Sequence, residues 1–112
     1  MNIPTFINSL IAAGNRYATQ KYLDHYQSNA VLDDPSVGRK FSGHKGIKDY
    51  FVSYFIGYET QTEIIKLVVY DETHAHLEVA FTGTFPEGNI RGIFDFTFRD
   101  GKIAFVKADL LH

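Results

Sequence analysis

The sequence predicts an α+β fold, a cone-shaped half-barrel in which a curved antiparallel sheet wraps around about three N-terminal helices. Two observations predict it. Helical periodicity is confined to the first half of the chain, whereas everything beyond Tyr58 alternates with period two and is rich in β-branched and aromatic residues. Helices first and strands afterwards form segregated layers, and a long sheet with one apolar side needs a cover. With 112 residues and 45% hydrophobic content, the chain is expected to form one domain, residues 1–112, around one core.

Pro4 and Thr5 open the first helix, and Phe6, Ile7, Leu10 and Ile11 recur on one face until Gly14 stops or bends it. The same period continues over residues 17–26, where Tyr22, Leu23 and Tyr26 form a second apolar stripe. Residues 30–34 read as a short strand that Pro35 closes, and residues 36–42 as a loop. Residues 43–57 return to helical spacing, with Ile47, Tyr50, Phe51, Tyr54 and Phe55 on a broad apolar face.

Strands are expected at residues 59–70, 74–85, 90–99 and 102–111, joined as an antiparallel meander. Asp100-Gly101 is a pair favoured in type I′ hairpins, and residues 86–89 supply a four-residue loop. If Phe85 faces Ile90, then Phe81 faces Phe94, Val79 faces Phe96 and Leu77 faces Phe98, which makes one face almost wholly apolar. The other face carries His76 beside Arg99, Glu78 beside Thr97 and Ala80 beside Asp95. Carried through the Asp100-Gly101 turn, the same ideal register sets Lys107 beside Phe94 and Asp109 beside Gly92. Two charged residues then fall on the apolar face, opposite the face that holds Asp95.

Net charge of −2 and a pI near 6.2 leave no basic face for phosphates, so nucleic acid is not an expected partner. No run approaches membrane-spanning length, and the apolar stretch at residues 6–13 has no preceding Lys or Arg and is interrupted by Asn8 and Ser9, unlike a signal peptide. The absence of cysteine suits the cytoplasm. His74 and His76 share the polar face without an identifiable third ligand, so neither a metal nor an organic cofactor is expected. His44 caps the third helix or faces a ligand, and His25 and His112 are expected in solvent. Ten Phe and seven Tyr are enough rings both to fill a core and to line a pocket for a small apolar molecule. Ile64, Val68, Ile93, Ala104 and Val106 among charges on the outer sheet face point to a homodimer.

The order of elements, the DDP at residues 33–35, SGHKGIKDYF at residues 42–51 and DGKI at residues 100–103 resemble the SnoaL-like branch of the nuclear-transport-factor-2-like (cystatin-like) superfamily. That resemblance covers nearly the whole chain. It implies the cone fold and a range of chemistries that includes ketosteroid isomerases, polyketide cyclases, epoxide hydrolases, dehydratases and members without catalysis, so it selects no single activity. By resemblance to the isomerases, Asp34 corresponds to their general-base Asp. Their oxyanion-stabilising Tyr falls near Phe6 or Ile7, where no hydroxyl exists, and their protonated Asp near Phe94 or Asp95. By resemblance to the cyclases, Asp109 corresponds to their acid/base Asp and Asp95 to a second polar position, and their His is Lys107 here. A β-bulge would bring Asp95 and Asp109 onto one face.

The candidate catalytic residues are therefore Asp34, Asp109 and Asp95. Tyr17, Phe51, Tyr54, Phe55, Phe81, Phe94, Phe96 and Lys107 are expected to meet the substrate. Two readings follow. In one, an Asp moves a proton next to the carbonyl of an apolar substrate, as a cofactor-independent isomerase, cyclase or lyase would. In the other, a non-enzymatic dimeric domain binds a ligand or partner. Its Asp34 serves a loop, Asp109 pairs with Lys107 at the surface, and Asp95 joins Arg91 and Arg99 in a charge cluster.

Overall fold

A computed structural model describes residues 1–111, and the expectation for His112 lies outside them. Helix α1 (Ile3–Asn15) and the short α2 (Thr19–Leu23) lead into β1 (Tyr26–Asp34) and β2 (Arg39–Ser42). Helix α3 (Gly43–Phe51) follows and ends in a π-helical turn at Val52–Ile56. Four long strands complete the chain: β3 (Gln61–Val69), β4 (His74–Thr82), β5 (Asn89–Arg99) and β6 (Lys102–Leu111). All six strands make one curved, unclosed sheet in the order β2-β1-β6-β5-β4-β3, and the helices cover its apolar side. The predicted α+β cone is the observed architecture.

Each helix starts where its sequence provides a start. The Asn2 side chain accepts the Thr5 amide at 3.0 Å and caps α1, with Pro4 in the first turn where no amide partner is needed. Ile7, Leu10 and Ala13 then face the core. At its far end Asn15 clamps the edge strand β3 in both directions, accepting Thr62 N–H at 2.7 Å and donating to the Thr62 carbonyl at 2.9 Å. A side-chain amide thus satisfies backbone groups that a further strand would otherwise pair.

The second helix is shorter than the periodicity predicts, and Tyr26 belongs to β1. Tyr17 has φ of 55°, which breaks the helical path, and the His25 carbonyl accepts the Ile103 amide at 2.9 Å, drawing the chain into the sheet. β1 then runs parallel to β6 rather than extending a meander, and the segment expected as a loop supplies β2, antiparallel to β1.

The β4–β5 register differs from the expected one by four residues. Phe81 pairs with Ile90, Leu77 with Phe94 and Ala75 with Phe96. β4 ends at Thr82 because the Thr84 amide leaves the ladder for the Tyr58 carbonyl at 2.7 Å. Phe85 meets the Tyr58 ring edge-on. Gly83 allows this approach, since a Cβ there would lie 2.7 Å from the Tyr58 carbonyl oxygen. A shift of four is even, so every side chain keeps its predicted face.

The hairpin into β6 begins as expected: Asp100 and Gly101 both have positive φ, and Arg99 pairs with Lys102. A bulge then slips the register by one between Phe98↔Ile103 and Thr97↔Phe105. Beyond it Val106 pairs with Phe96 and Ala108 with Phe94, both buried, while Phe105, Lys107 and Asp109 turn outward. The ideal register would have placed Lys107 and Asp109 against the phenylalanines, where desolvation of two charges opposes folding. One extra residue exchanges them for Val106 and Ala108. The expectation that Val106 and Ile64 lie on the outer face is therefore corrected. Val106 is fully buried, and Ile64 pairs with Val79 and packs on the core.

Val106→Ala should lower unfolding free energy by about 2 kcal/mol, the transfer and cavity cost of two buried methyl groups, as measured by urea denaturation. A loss below about 0.5 kcal/mol is what a solvent-facing Val106 would give, and would restore the ideal hairpin.

Candidate functional site

Asp34 is the last residue of β1, where Pro35 ends the strand and starts a 3₁₀ turn. Only 5% of the residue is exposed, so its carboxylate needs partners. Oδ1 accepts the Ser36 amide at 3.0 Å and the Ser36 hydroxyl at 2.5 Å, and Oδ2 accepts the Tyr50 hydroxyl at 2.9 Å. These three donors join the end of β1, the turn after it and helix α3. All are neutral groups.

The carboxylate borders a cavity of about 200 Å³. The π-helical turn and the residues after it supply one wall, with Tyr54, Phe55, Tyr58 and Thr60; Phe81, Phe85, Pro86, Glu87 and Ile90 supply the other, and Leu110 of β6 completes it. The wider turn after α3 is what brings Tyr54 and Phe55 to the same hollow as Tyr50. Gly92 lets the Phe81 ring lie close against β5, since a Cβ there would stand 2.4 Å from that ring. Asp34 and Tyr50 are buried, whereas Tyr58, Pro86 and Glu87 are exposed and mark the mouth. A dry cavity of about 150 Å³ accepts benzene, so this one is sized for a single substituted ring.

Three phenols next to one another are strongly perturbed. Burial, followed by the negative charge of Asp34, raises the Tyr50 phenol well above its ordinary value, so it remains a proton donor. Burial likewise pushes Tyr22 up to about 12 and raises Tyr26, whose hydroxyl lies 2.8 Å from that of Tyr22. The Tyr54 and Tyr58 hydroxyls have no protein partner among the described residues.

A family model described as a SnoaL-like domain matches residues 7–106. The chain belongs to the SnoaL-like family. No curated protein sequence matches it. Among solved structures, a candidate polyketide cyclase from Sinorhizobium meliloti shares 23% identity over 94% of each chain, with a TM-score of 0.84. A candidate ketosteroid isomerase from Kribbella flavida shares 14% identity, with 96% of this chain and 76% of that one covered and a TM-score of 0.84. The epoxide hydrolase/cyclase-like enzyme of pyran ring formation in the polyether salinomycin shares 17%, covering 96% and 89%, with a TM-score of 0.82. At these identities the likeness establishes the fold.

Within this SnoaL-like domain the residues singled out from the sequence separate into two groups. Asp34, Tyr54, Phe55 and Phe81 border the cavity. Phe94 and Phe96 line a crevice of about 20 Å³ deeper in the core, and Phe51 stacks on Tyr22. Tyr17 accepts a hydrogen bond from Gln61 at 3.1 Å away from the cavity. The bulge does bring Asp95 and Asp109 onto one face, but it is the outer one, in register with Lys107 and Ile93 respectively, and none of the three borders the cavity. Asp95 bonds His76 at 2.6 Å, and Asp109 accepts the Leu110 amide at 2.8 Å.

The other histidines among the described residues also have protein partners. His74 meets Asp71 at 3.1 Å, and His44 meets the Tyr26 carbonyl at 2.9 Å. His25, expected in solvent, is half-buried and bonded to the Lys21 carbonyl and the Ser9 hydroxyl. Phe6 and Ile7, where the isomerases carry a hydroxyl, pack in or against the core.

Tyr50 as the partner of Asp34, and the mouth residues Tyr58, Phe85 and Glu87, were not readable as site residues. Tyr50 and Tyr54 stand four apart on one helical face, which was the available signal. The mouth depends on the departure of Thr84 from the ladder, which has no mark in the strand pattern.

The unfolded chain releases phenolic protons near pH 10.0 while the folded chain holds them longer. The resulting stability is complete below that pH and lost as pH climbs through the folded values. Tyr22 alone contributes on the order of 3 kcal/mol. Urea midpoints should therefore be steady up to about pH 10 and fall steeply toward about pH 12. Midpoints unchanged across that window would contradict the burial of these phenols.

Proposed function

We propose that the cavity binds a compact, mostly apolar, carbonyl-bearing molecule and that Asp34 moves a proton at the carbon next to that carbonyl. The observation that carries this reading is a buried carboxylate bordering a ring-walled cavity, with a phenol that burial keeps protonated on its Oδ2. Asp34 Oδ2 takes the proton as the C–H bond breaks, and the electron pair moves onto the carbonyl oxygen. The Tyr54 or Tyr58 hydroxyl donates to that oxygen as its charge grows. Return of the proton from Asp34 to the same carbon gives hydrogen exchange, and its return to a conjugated carbon of an unsaturated substrate completes an isomerisation. The ring walls exclude water and hold the plane of the substrate. No step calls on a cofactor.

A second reading is a binding domain without turnover. It is favoured by Phe6 and Ile7, apolar where the resembling isomerases place their donor. Both readings include a homodimer through the outer sheet face. There Phe105 is 37% exposed beside Val31 and Thr97, and Lys40, Asp33, Lys107 and Asp95 form a row of alternating charge across four strands. A two-fold axis sets such a row against its own reverse, so unlike charges can meet. The cytoplasm suits a chain without cysteine.

In D₂O, the protein should speed α-hydrogen exchange of 4,4-dimethylcyclohexanone, followed by proton NMR, and Asp34→Asn should slow it at least about 100-fold while the ketone still binds. Binding without exchange would select the non-enzymatic reading. Sedimentation equilibrium should show a dimer that Phe105→Glu converts to a folded monomer. A monomeric parent protein would refute the interface.

A further inference from the structure

The cavity has a charge that a plain ketone does not match. Asp34 and Glu87 both border it, and none of its lining residues is Lys, Arg or His. The donors on Asp34 are an amide, a serine hydroxyl and a phenol, so hydrogen bonding satisfies the carboxylate without neutralising it. The cation paired with Asp34 in the β1–β2 ladder, Arg39, instead sits with its guanidinium 4.2 Å from the centre of the Phe41 ring. Among the described residues, neither Asp34 nor Glu87 makes an ion pair. Lys107, the other cation assigned to the site from sequence, is on the outer face.

Aromatic faces supply the remaining surface. At the mouth, Tyr58 and Phe85 stand 6.0 Å apart at 62° with Glu87 beside them, and further in the walls are the rings of Tyr54, Phe55 and Phe81. Ring faces with a carboxylate at their rim attract an organic cation through the ring quadrupole and through direct charge, and both attractions strengthen when water is partly excluded. The same surroundings repel carboxylates, phosphates and any carrier-linked thioester whose handle is anionic. They also leave a developing enolate with no protein cation to offset it.

From this charge balance we propose that the molecule bound in the cavity is itself a cation: a compact carbonyl compound bearing an alkylammonium group, with the ammonium at the mouth among Glu87, Tyr58 and Phe85 and the carbonyl end toward Asp34. This rests on the reading of the cavity as the site where Asp34 acts. The ligand then brings the positive charge that the enolate needs, and Glu87 sets the direction of entry.

Two probes of matched shape isolate the charge: 1,1-dimethyl-4-oxopiperidinium, permanently cationic, and 4,4-dimethylcyclohexanone, its neutral carbon counterpart. Isothermal titration should give a dissociation constant at least about tenfold lower for the cation, with the advantage shrinking as salt rises and shrinking severalfold in Glu87→Gln. Asp34→Asn should abolish α-hydrogen exchange of both probes yet keep most of the cation's advantage. Equal binding of the two probes, or tighter binding of the ketone, overturns the cationic ligand while leaving the proton-transfer reading intact. Loss of the cation's advantage in Asp34→Asn with none in Glu87→Gln overturns its placement at the mouth. Exchange unaffected by Asp34→Asn, with the cation still preferred, defeats the proton-transfer reading instead.

Discussion

A carboxylate removed from water is tolerated only when its lone pairs are occupied, and an unpartnered one costs several kcal/mol. Asp34 meets that condition by gathering donors from two separate segments. Ser36 provides two from the turn that Pro35 begins, and Tyr50 provides one from the last turn of α3. The constraint fixes where β1 stops and the height at which α3 crosses the sheet. Because Tyr50 is held there, the π-helical turn that follows delivers Tyr54 and Phe55 to the adjoining space. The hollow next to Asp34 thus follows from satisfying Asp34, and any ligand that enters meets an anion already oriented by its neighbours.

The far side of the cavity depends on two departures from regular pairing. Thr84 gives up the β4–β5 ladder for the Tyr58 carbonyl, which folds Phe85 over the mouth. The bulge in β6 turns Val106, Ala108 and Leu110 inward, so that an apolar strand edge rather than Lys107 and Asp109 closes the space. The bulge is driven by burial. A regular β5–β6 ladder would have satisfied the backbone equally well, but with Lys107 and Asp109 set against the phenylalanine rows.

What could be read beforehand follows the same division. Helix α1, the long strands and the Asp100-Gly101 turn were legible because periodicity and turn chemistry are local. The place of Asp34 at the end of its strand was legible because a strand-ending Asp-Pro is local too. The shortened second helix was not, since Tyr26 enters the sheet through a hydrogen bond distant in sequence, from the Ile103 amide to the carbonyl of its neighbour His25. Nor was the bulge. Its position is set by which of two registers buries fewer charges, and the pattern alone shows only the conflict between Lys107, Asp109 and the apolar face. Asp95 and Asp109 entered the candidate site by family resemblance, and the register sets them on the opposite side of the sheet from Asp34.

Of the three carboxylates Asp34, Asp95 and Asp109, only Asp34 borders the cavity, so only Asp34 should respond to a ligand there. Carbon-13 spectra of the side-chain carboxyls, recorded before and after saturation with a small cyclic ketone, address this directly. The Asp34 Cγ resonance should move while those of Asp95 and Asp109 stay in place. Movement at Asp95 or Asp109 with Asp34 unchanged would contradict it.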